Sequence, residues 1–197
     1  MNRVPPAFRV RRAAFDDAAA IGHVHIESWR AAYRGILAAE YLDGMSDVRH
    51  AAMWSDVLNK QAPNRATFVA EADREGIVGF ADCGPERSGI ARTGEVTAIY
   101  VLPAWQRRGL GRGLVANAAR HLAAYEFEQL VIWALRDNPS RAFYRSIGGR
   151  EASEREIRFA GQPLQEVCYS WVDIAELLLL DYGFGRTGGA RPEVPSR

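Results

Sequence analysis

The stretch GEVTAIYVLPAWQRRGLGR, from Gly94 to Arg112, constrains the fold more than any other part of the chain. It reads as a buried strand from Val96 to Val101, stopped by Pro103, which cannot donate to a sheet ladder. A tight loop follows, Gln106-Arg107-Arg108-Gly109-Leu110-Gly111, and then a helix. The loop sets two glycines and the arginines Arg107, Arg108 and Arg112 where helical N–H groups lack intrahelical partners. Those groups and the positive end of the helix dipole face one point, which makes an anion cradle. Gly109 and Gly111 have no Cβ to block close backbone approach. A phosphate-bearing ligand is the expected occupant; a basic strand-to-helix turn without ligand is the alternative.

Two familiar phosphate loops do not fit. A Walker loop ends in Gly-Lys-Ser/Thr, whereas Gly111 is followed by Arg112 and Gly113. A dinucleotide fingerprint needs G-x-G-x-x-G, and Gly109, Gly111 and Gly113 are spaced too tightly for it. The form present is Q-x-x-G-x-G after a strand, which resembles the pyrophosphate loop of the GNAT acyltransferase superfamily. A second stretch, LVIWALRDNPSRAFYRSIGGR from Leu130, strengthens the likeness. It reads as a strand, a helix start at Asn138-Pro139, and a short helix from Ser140 to Ile147 that stops at Gly148-Gly149. Asn138, Ala142, Phe143, Tyr144 and Gly148 match the GNAT pattern of a strand ending in Asn, a helix carrying Ala-Phe-Tyr, and a following Gly.

Composition sets the remaining bounds. The chain has 197 residues, enough for one domain with a sizeable core. Its 25 basic and 24 acidic side chains leave no global polarity, so charge suggests no nucleic-acid partner. Lys60 is the only lysine, so arginine carries nearly all of the positive charge. Cys83 and Cys168 stand apart without metal-ligand spacing, which suits a reduced cytoplasm and implies no metal. Residues 1–17 lack the apolar stretch of a signal peptide, and Leu177 to Leu180 is too short to span a bilayer, so a cytoplasmic, membrane-free protein is expected.

Phe8 to Ala13 alternates apolar and polar residues as a half-buried first strand would. Asp16 and Asp17 open a helical stretch with Ile21, Val24, His25, Ser28, Trp29 and Ala32 near helical spacing. A second helical region covers Glu40 to Leu42 and Val48 to Leu58. Thr67 to Ala72 and Ile77 to Asp82 pair as a hairpin, and Pro85 to Gly94 reads as a polar loop. Leu114 to Tyr125 is an amphipathic helix, and the unbroken apolar run Leu130 to Leu135 marks a central strand covered on both faces. Glu154 to Phe159 and Gln165 to Trp171 form a terminal hairpin turning near Gly161. Residues 1–173 make one domain, 174–182 a short helix or extension, and 183–197 a Gly/Arg/Pro tail expected to be mobile.

This order matches the GNAT fold from about Phe8 to Asp173: an α+β, three-layer arrangement with a mixed, mostly antiparallel sheet of about seven strands and helices on both faces. The resemblance implies a bulge that splays the fourth strand from the fifth and opens a cleft for the pantetheine arm of acetyl-CoA. Main-chain groups of Ile99 and Val101, with Tyr100 between them, would bond the arm like an added strand, and the Val101 N–H, taken to lie at the bulge, would face the oxyanion. The loop Gln106, Arg107, Arg108, Gly109, Leu110, Gly111 and Arg112, together with Asn138 and Tyr144, would hold the cofactor, and Arg145 would meet its 3′-phosphate.

The implied reaction is transfer of acetyl from acetyl-CoA to a primary amine in a ternary complex. An amine of pKa near ~10 must lose a proton and a thiolate near ~8.5 must gain one. The resemblance sets Tyr144 beside the sulfur as acid, and Glu95 at the strand start as a base acting through water. Glu27, His25 and His23 on the first helix are weaker candidates for the base. The segment Ile26 to Ile36 resembles an acceptor-lining helix, which makes Glu27, Trp29 and Tyr33 candidate substrate residues; two core aromatics are the alternative reading of Trp29 and Tyr33. A non-catalytic CoA-binding module on the same fold is the runner-up. A Ser- or Cys-based acyltransferase is disfavoured, since no G-x-S-x-G elbow occurs and neither cysteine has a His context. The acceptor, a small molecule or a peptide, is not legible, nor is the choice between monomer and homodimer.

Overall fold

A computed structural model of the chain describes residues 8–180. Seven strands form one sheet in the order β1-β2-β3-β4-β5-β7-β6. β1 (Phe8–Arg12), β2 (Ala66–Ala72), β3 (Gly76–Pro85) and β4 (Thr93–Val101) pair antiparallel in sequence order. β5 (Gln129–Leu135) runs parallel to β4 and antiparallel to β7 (Gln162–Trp171), which pairs with β6 (Arg150–Phe159) at the edge. A parallel step needs a crossover, and α4 (Leu110–Ala124) supplies it. The mixed, mostly antiparallel sheet with helices on both faces is the α+β arrangement expected from the sequence.

Strand alternation divides the core into layers. From β2, Val69 joins Phe80 of β3 against Ile21 and Val24 of α1 (Ala18–Ala32) and Trp54 of α3 (Asp47–Asn59). Ala66, Ala70 and Ala72 of the same strand face the other way, onto Leu114, Val115, Ala118 and Leu122 of α4. Leu177 of α6 (Ala175–Leu178) joins this second layer. The small α2 (Ala39–Asp43) and α5 (Arg141–Ser146) complete the α-helices among the described residues.

The second helical region is two helices rather than one. Gly44 to Ser46 separate α2 from α3, and the Ser46 hydroxyl accepts from the Arg49 N–H at 3.5 Å to cap α3. α4 begins at Leu110, four residues earlier than the amphipathic pattern suggests, because packing outweighs the low helix propensity of Gly111 and Gly113. Gly113 is buried, and a Cβ on Gly111 would lie 3.0 Å from the Phe143 ring. The helix expected over 174–182 is Ala175–Leu178; residues 181–182 and the tail 183–197 lie outside the described residues.

The feature that positions the site is where β4 and β5 part. They pair only at Thr93, Gly94 and Glu95, opposite Gln129, Leu130 and Val131. Immediately after, β4 carries a bulge: Val96 faces Cys83 and Ala98 faces Asp82, leaving Thr97 as the extra residue. The bulge is therefore at Thr97 and not at Val101, which sits in regular register opposite Gly79. The departure of β5 also explains why β4 is buried only as far as Val96, with Thr97 to Val101 partly exposed, rather than buried throughout.

Candidate active site

The loop before α4 is shaped by backbone geometry. Gly109, the residue capping α4, has φ +89°, a left-handed conformation that side-chain-bearing residues rarely adopt, and Arg107 also lies in that region at φ +59°. The first intrahelical bond shown, Gly113 N–H to the Gly109 carbonyl at 3.0 Å, leaves the amides of Leu110, Gly111 and Arg112 in the unpaired first turn. Trp105, 7% exposed, anchors the loop, and the Arg108 guanidinium lies over its ring at 4.8 Å. Arg107 and Arg112, in contrast, line a groove of about 730 Å³. Leu110 is buried in the core, so it can meet a ligand only through its main chain.

That groove runs from Arg107, Gly109, Gly111 and Arg112 past Ile99 and Val101 to Phe143 and Tyr144. It fits a long phosphorylated ligand: amides and two arginines at one end, a strand edge in the middle, a tyrosine at the other. Gln106 Nε2 donates to the Val101 carbonyl at 3.1 Å, so this edge already takes a side-chain donor. A second cavity of about 70 Å³ adjoins the groove, walled by Ser28 of α1 and Tyr33 just past its end, by β4 from Val96 to Val101, and by Asn138 and Tyr144. Tyr144 and Ile99 border both spaces.

Tyr144 is 5% exposed, with ring centroids 5.5 Å from Phe143 and 5.2 Å from Tyr169. Burial, helped by the neighbouring Tyr33 and Tyr169, pushes its hydroxyl well above the usual tyrosine value, so it stays protonated. Tyr33 is likewise raised by burial, and its hydroxyl accepts from Asn138 Nδ2 at 3.3 Å. Asn138 Oδ1 in turn accepts from the Ser140 N–H at 2.8 Å, which orients the amide. Tyr100, pushed upward by burial and by Tyr33, stacks on His25 at 5.1 Å.

The expected bases fall in different surroundings. Glu95 is 1% exposed in its side chain and is held by Arg87, which donates from Nη2 at 2.6 Å and from Nε at 3.0 Å; the Arg87 main-chain N–H adds a bond at 3.2 Å. Neither cavity is lined by Glu95 itself; the lining begins at the next residue, Val96. His25 Nδ1 accepts from Trp54 Nε1 at 3.2 Å, and burial with His50 nearby pushes its pKa down to about 4. That ring is neutral and its lone pair is used. His23 is exposed beside Asp47, at 3.4 Å. Glu27 pairs with Arg30 at 3.1 Å and lines neither cavity.

Other sequence-derived candidates are also redistributed. Arg145, expected at a 3′-phosphate, bonds Glu151 instead, sharing that carboxylate with Arg141, and it does not line the groove. Trp29 packs edge-on against Tyr33 at 5.0 Å and near Phe159 at 5.5 Å, behind the cavity rather than on its wall. Both cysteines are buried, and burial pushes the Cys83 thiol up to about 12 and raises Cys168. Neither offers a thiolate. Sequence reasoning missed Thr97, Asp82, Trp105 and Arg87; an aspartate within the apolar run of β3 was the one visible signal.

Comparison with known proteins agrees with this geometry. The model of the acetyltransferase (GNAT) family matches residues 15–148. An uncharacterized N-acetyltransferase of Bacillus subtilis is 34% identical over 172 residues, covering 87% of this chain and 96% of that protein. The PaiA N-acetyltransferase of Thermoplasma acidophilum, solved in complex with coenzyme A, superposes with a TM-score of 0.62 at 19% identity, over 81% of this chain and 98% of its own. An acetyltransferase of Salmonella typhimurium solved with acetyl-CoA gives a TM-score of 0.62 at 22% identity, over 85% and 95% of the two chains. With a splayed β4/β5 cleft, a glycine-arginine loop at the α4 N-terminus and a family match over most of its length, the chain belongs to the GNAT family of acetyltransferases.

Proposed function

We propose that this enzyme transfers acetyl from acetyl-CoA to a primary amine by direct attack, with both substrates bound at once. One observation carries the reading: the continuous groove from the α4 N-terminus along the free edge of β4 to Tyr144. The first-turn amides of α4, with Arg107 and Arg112, would hold the pyrophosphate, and the main chain of Ile99 and Val101 would hold the arm. Bound acetyl-CoA supplies the activated acyl group. Tyr144 would hold a proton at its Oη for the departing sulfur, and the main chain of β4 would orient the carbonyl.

The smaller cavity, with Tyr33 and Asn138 on its wall, suits a neutral amine, and Glu95 would take the amine proton through water once Arg87 yields. Arg145 would reach a 3′-phosphate only by leaving Glu151. A cytoplasmic setting, without membrane or nucleic-acid partners, is part of this reading; among the described residues no helix is long and apolar enough to cross a membrane. The test is a panel of small amines and peptides with acetyl-CoA, read by free-thiol release. At least one acceptor should raise release well above hydrolysis, with intersecting initial-rate lines. Release independent of every amine, or parallel lines from an acyl-enzyme, would sink the proposal.

A further inference from the structure

Thr97 is where the cleft begins, and something must hold an extra residue in place there. A bulge leaves its residue unpaired in the ladder and bends the strand, so a side-chain bond to that residue can help to hold it in place. Here the Thr97 hydroxyl donates to Asp82 Oδ2 at 2.6 Å. The other carboxylate oxygen, Oδ1, accepts from the Thr67 hydroxyl at 2.8 Å, and Thr67 Oγ1 itself accepts from Gln61 Nε2 at 2.5 Å. The donors run in one direction, Gln61 to Thr67 to Asp82, with Thr97 arriving from the other side. An ionised Asp82 satisfies every member without conflict.

The chain crosses β2, β3 and β4 beneath α3. Thr67 is fully buried and Asp82 is 8% exposed, so the bond between them is shielded from competing water, whereas the bonds at either end are part-buried. Asp82 faces Ala98 across the ladder, one residue past the bulge, while Thr97 lies on the wall of the small cavity with Tyr33 and Tyr144. A carboxylate outside the cavity therefore reaches its wall through one hydroxyl.

We propose that Asp82 is a positioning residue: through Thr97 it fixes the β4 bulge, and with it the main-chain groups from Ala98 to Val101 that face the acetyl-CoA arm. The rate effect rests on the acetyl-transfer reading; the structural effect does not. A loosened bulge would let these groups shift on the scale of an ångström, short of a full register slip, and misplacement of that size can cost up to about 100-fold in rate.

The experiment compares wild type with Thr97→Val, Thr97→Ser, Asp82→Asn and the Thr97→Val/Asp82→Asn double variant. Thr97→Val keeps the shape and β propensity and removes only the donor. Expected are a kcat loss of about 10-fold or more in Thr97→Val with a smaller change in KM for acetyl-CoA, recovery of most of that loss in Thr97→Ser, and a double variant scarcely worse than either single one. Amide exchange of residues 96–101 is followed in parallel without ligand and should quicken in Thr97→Val but not in Thr97→Ser. Equal loss in Val and Ser, full additivity in the double variant, or unchanged kcat and exchange in Thr97→Val would each overturn the assignment. If wild type transfers acetyl to no amine, amide exchange and the acetyl-CoA dissociation constant still decide the bulge role, and only the catalytic reading falls.

Discussion

Tyr144→Phe isolates the proposed acid. The ring stays in its slot, since its contacts to Phe143 and Tyr169 at 5.5 and 5.2 Å do not involve the hydroxyl. Removing one buried O–H should change stability by no more than about 1 kcal/mol. The rate should suffer more: loss of a general acid costs roughly 10²-fold in kcat, about 2.7 kcal/mol in the barrier. Because burial holds this hydroxyl above the ordinary tyrosine value, wild type keeps the acid loaded at least to the pH where a free tyrosine ionises, about 10. The deficit should therefore be flat from neutral to mildly alkaline pH. It should shrink with a thioester whose thiol is more acidic, since such a leaving group needs less help. The assay is steady-state thiol release with saturating acceptor, paired with acetyl-CoA titration by calorimetry. A variant with near-full kcat would show the hydroxyl to be structural; one that loses affinity and keeps kcat would make Tyr144 a binding residue. Either result refutes the acid role.

Gly109→Val must place a β-branched residue at φ +89°, which costs upward of about 1–2 kcal/mol, so the fold should survive with a lowered Tm. Its thermal shift by acetyl-CoA, about 2.7 kcal/mol in wild type at a hundredfold excess over Kd, should vanish; an unchanged shift would remove the loop from the site. Changing Cys83 and Cys168 together to Ala should leave kcat per folded molecule within about twofold, as burial keeps both thiols protonated, and an acetylated cysteine on the reaction path would defeat this. Glu95→Gln should lower kcat about 10²-fold at neutral pH, with the deficit narrowing as pH approaches the amine pKa near ~10. A pH-independent deficit would make Glu95 a structural partner of Arg87.

The fold was legible where periodicity and punctuation agree. Pro103, Gly109, Asn138-Pro139 and Gly148-Gly149 bracket elements that the structure contains, and the apolar run of β5 is buried as a central strand should be. The start of α4 was misjudged because propensity is local, while Gly111 is helical for a tertiary reason, the close approach of Phe143. Side-chain destinations were harder still. Arg108, Arg112 and Arg145 look equivalent in sequence, yet one stacks on Trp105, one lines the groove and one is taken by Glu151. Which partner an arginine finds depends on strands that are distant in sequence, β6 in the last case. The Thr97 bulge lay outside reach for the same reason, being a property of the β3–β4 register.

The walls of the small cavity limit how a proton can leave the amine. Its ionisable side chains among the described residues are Tyr33, Tyr100 and Tyr144, and burial pushes all three upward, so each is a neutral hydroxyl at working pH. His25, behind Tyr100, has its Nδ1 lone pair committed to Trp54 and is pushed down to about 4. An ammonium entering such a space would lose hydration and meet no counter-charge, whereas a neutral amine would find hydroxyl donors. On the proposed reading such a wall would favour the free base over the ammonium, which adds to the need for a proton acceptor below the amine pKa. The nearest carboxylate along β4 is Glu95, one residue before the lining begins. It is held by Arg87, whose side chain is 55% exposed and makes bonds of 2.6 and 3.0 Å to the carboxylate, so that pair must open first. Proton removal would then depend on how readily an ion pair at the mouth of the splay opens, rather than on a basic group standing in the cavity.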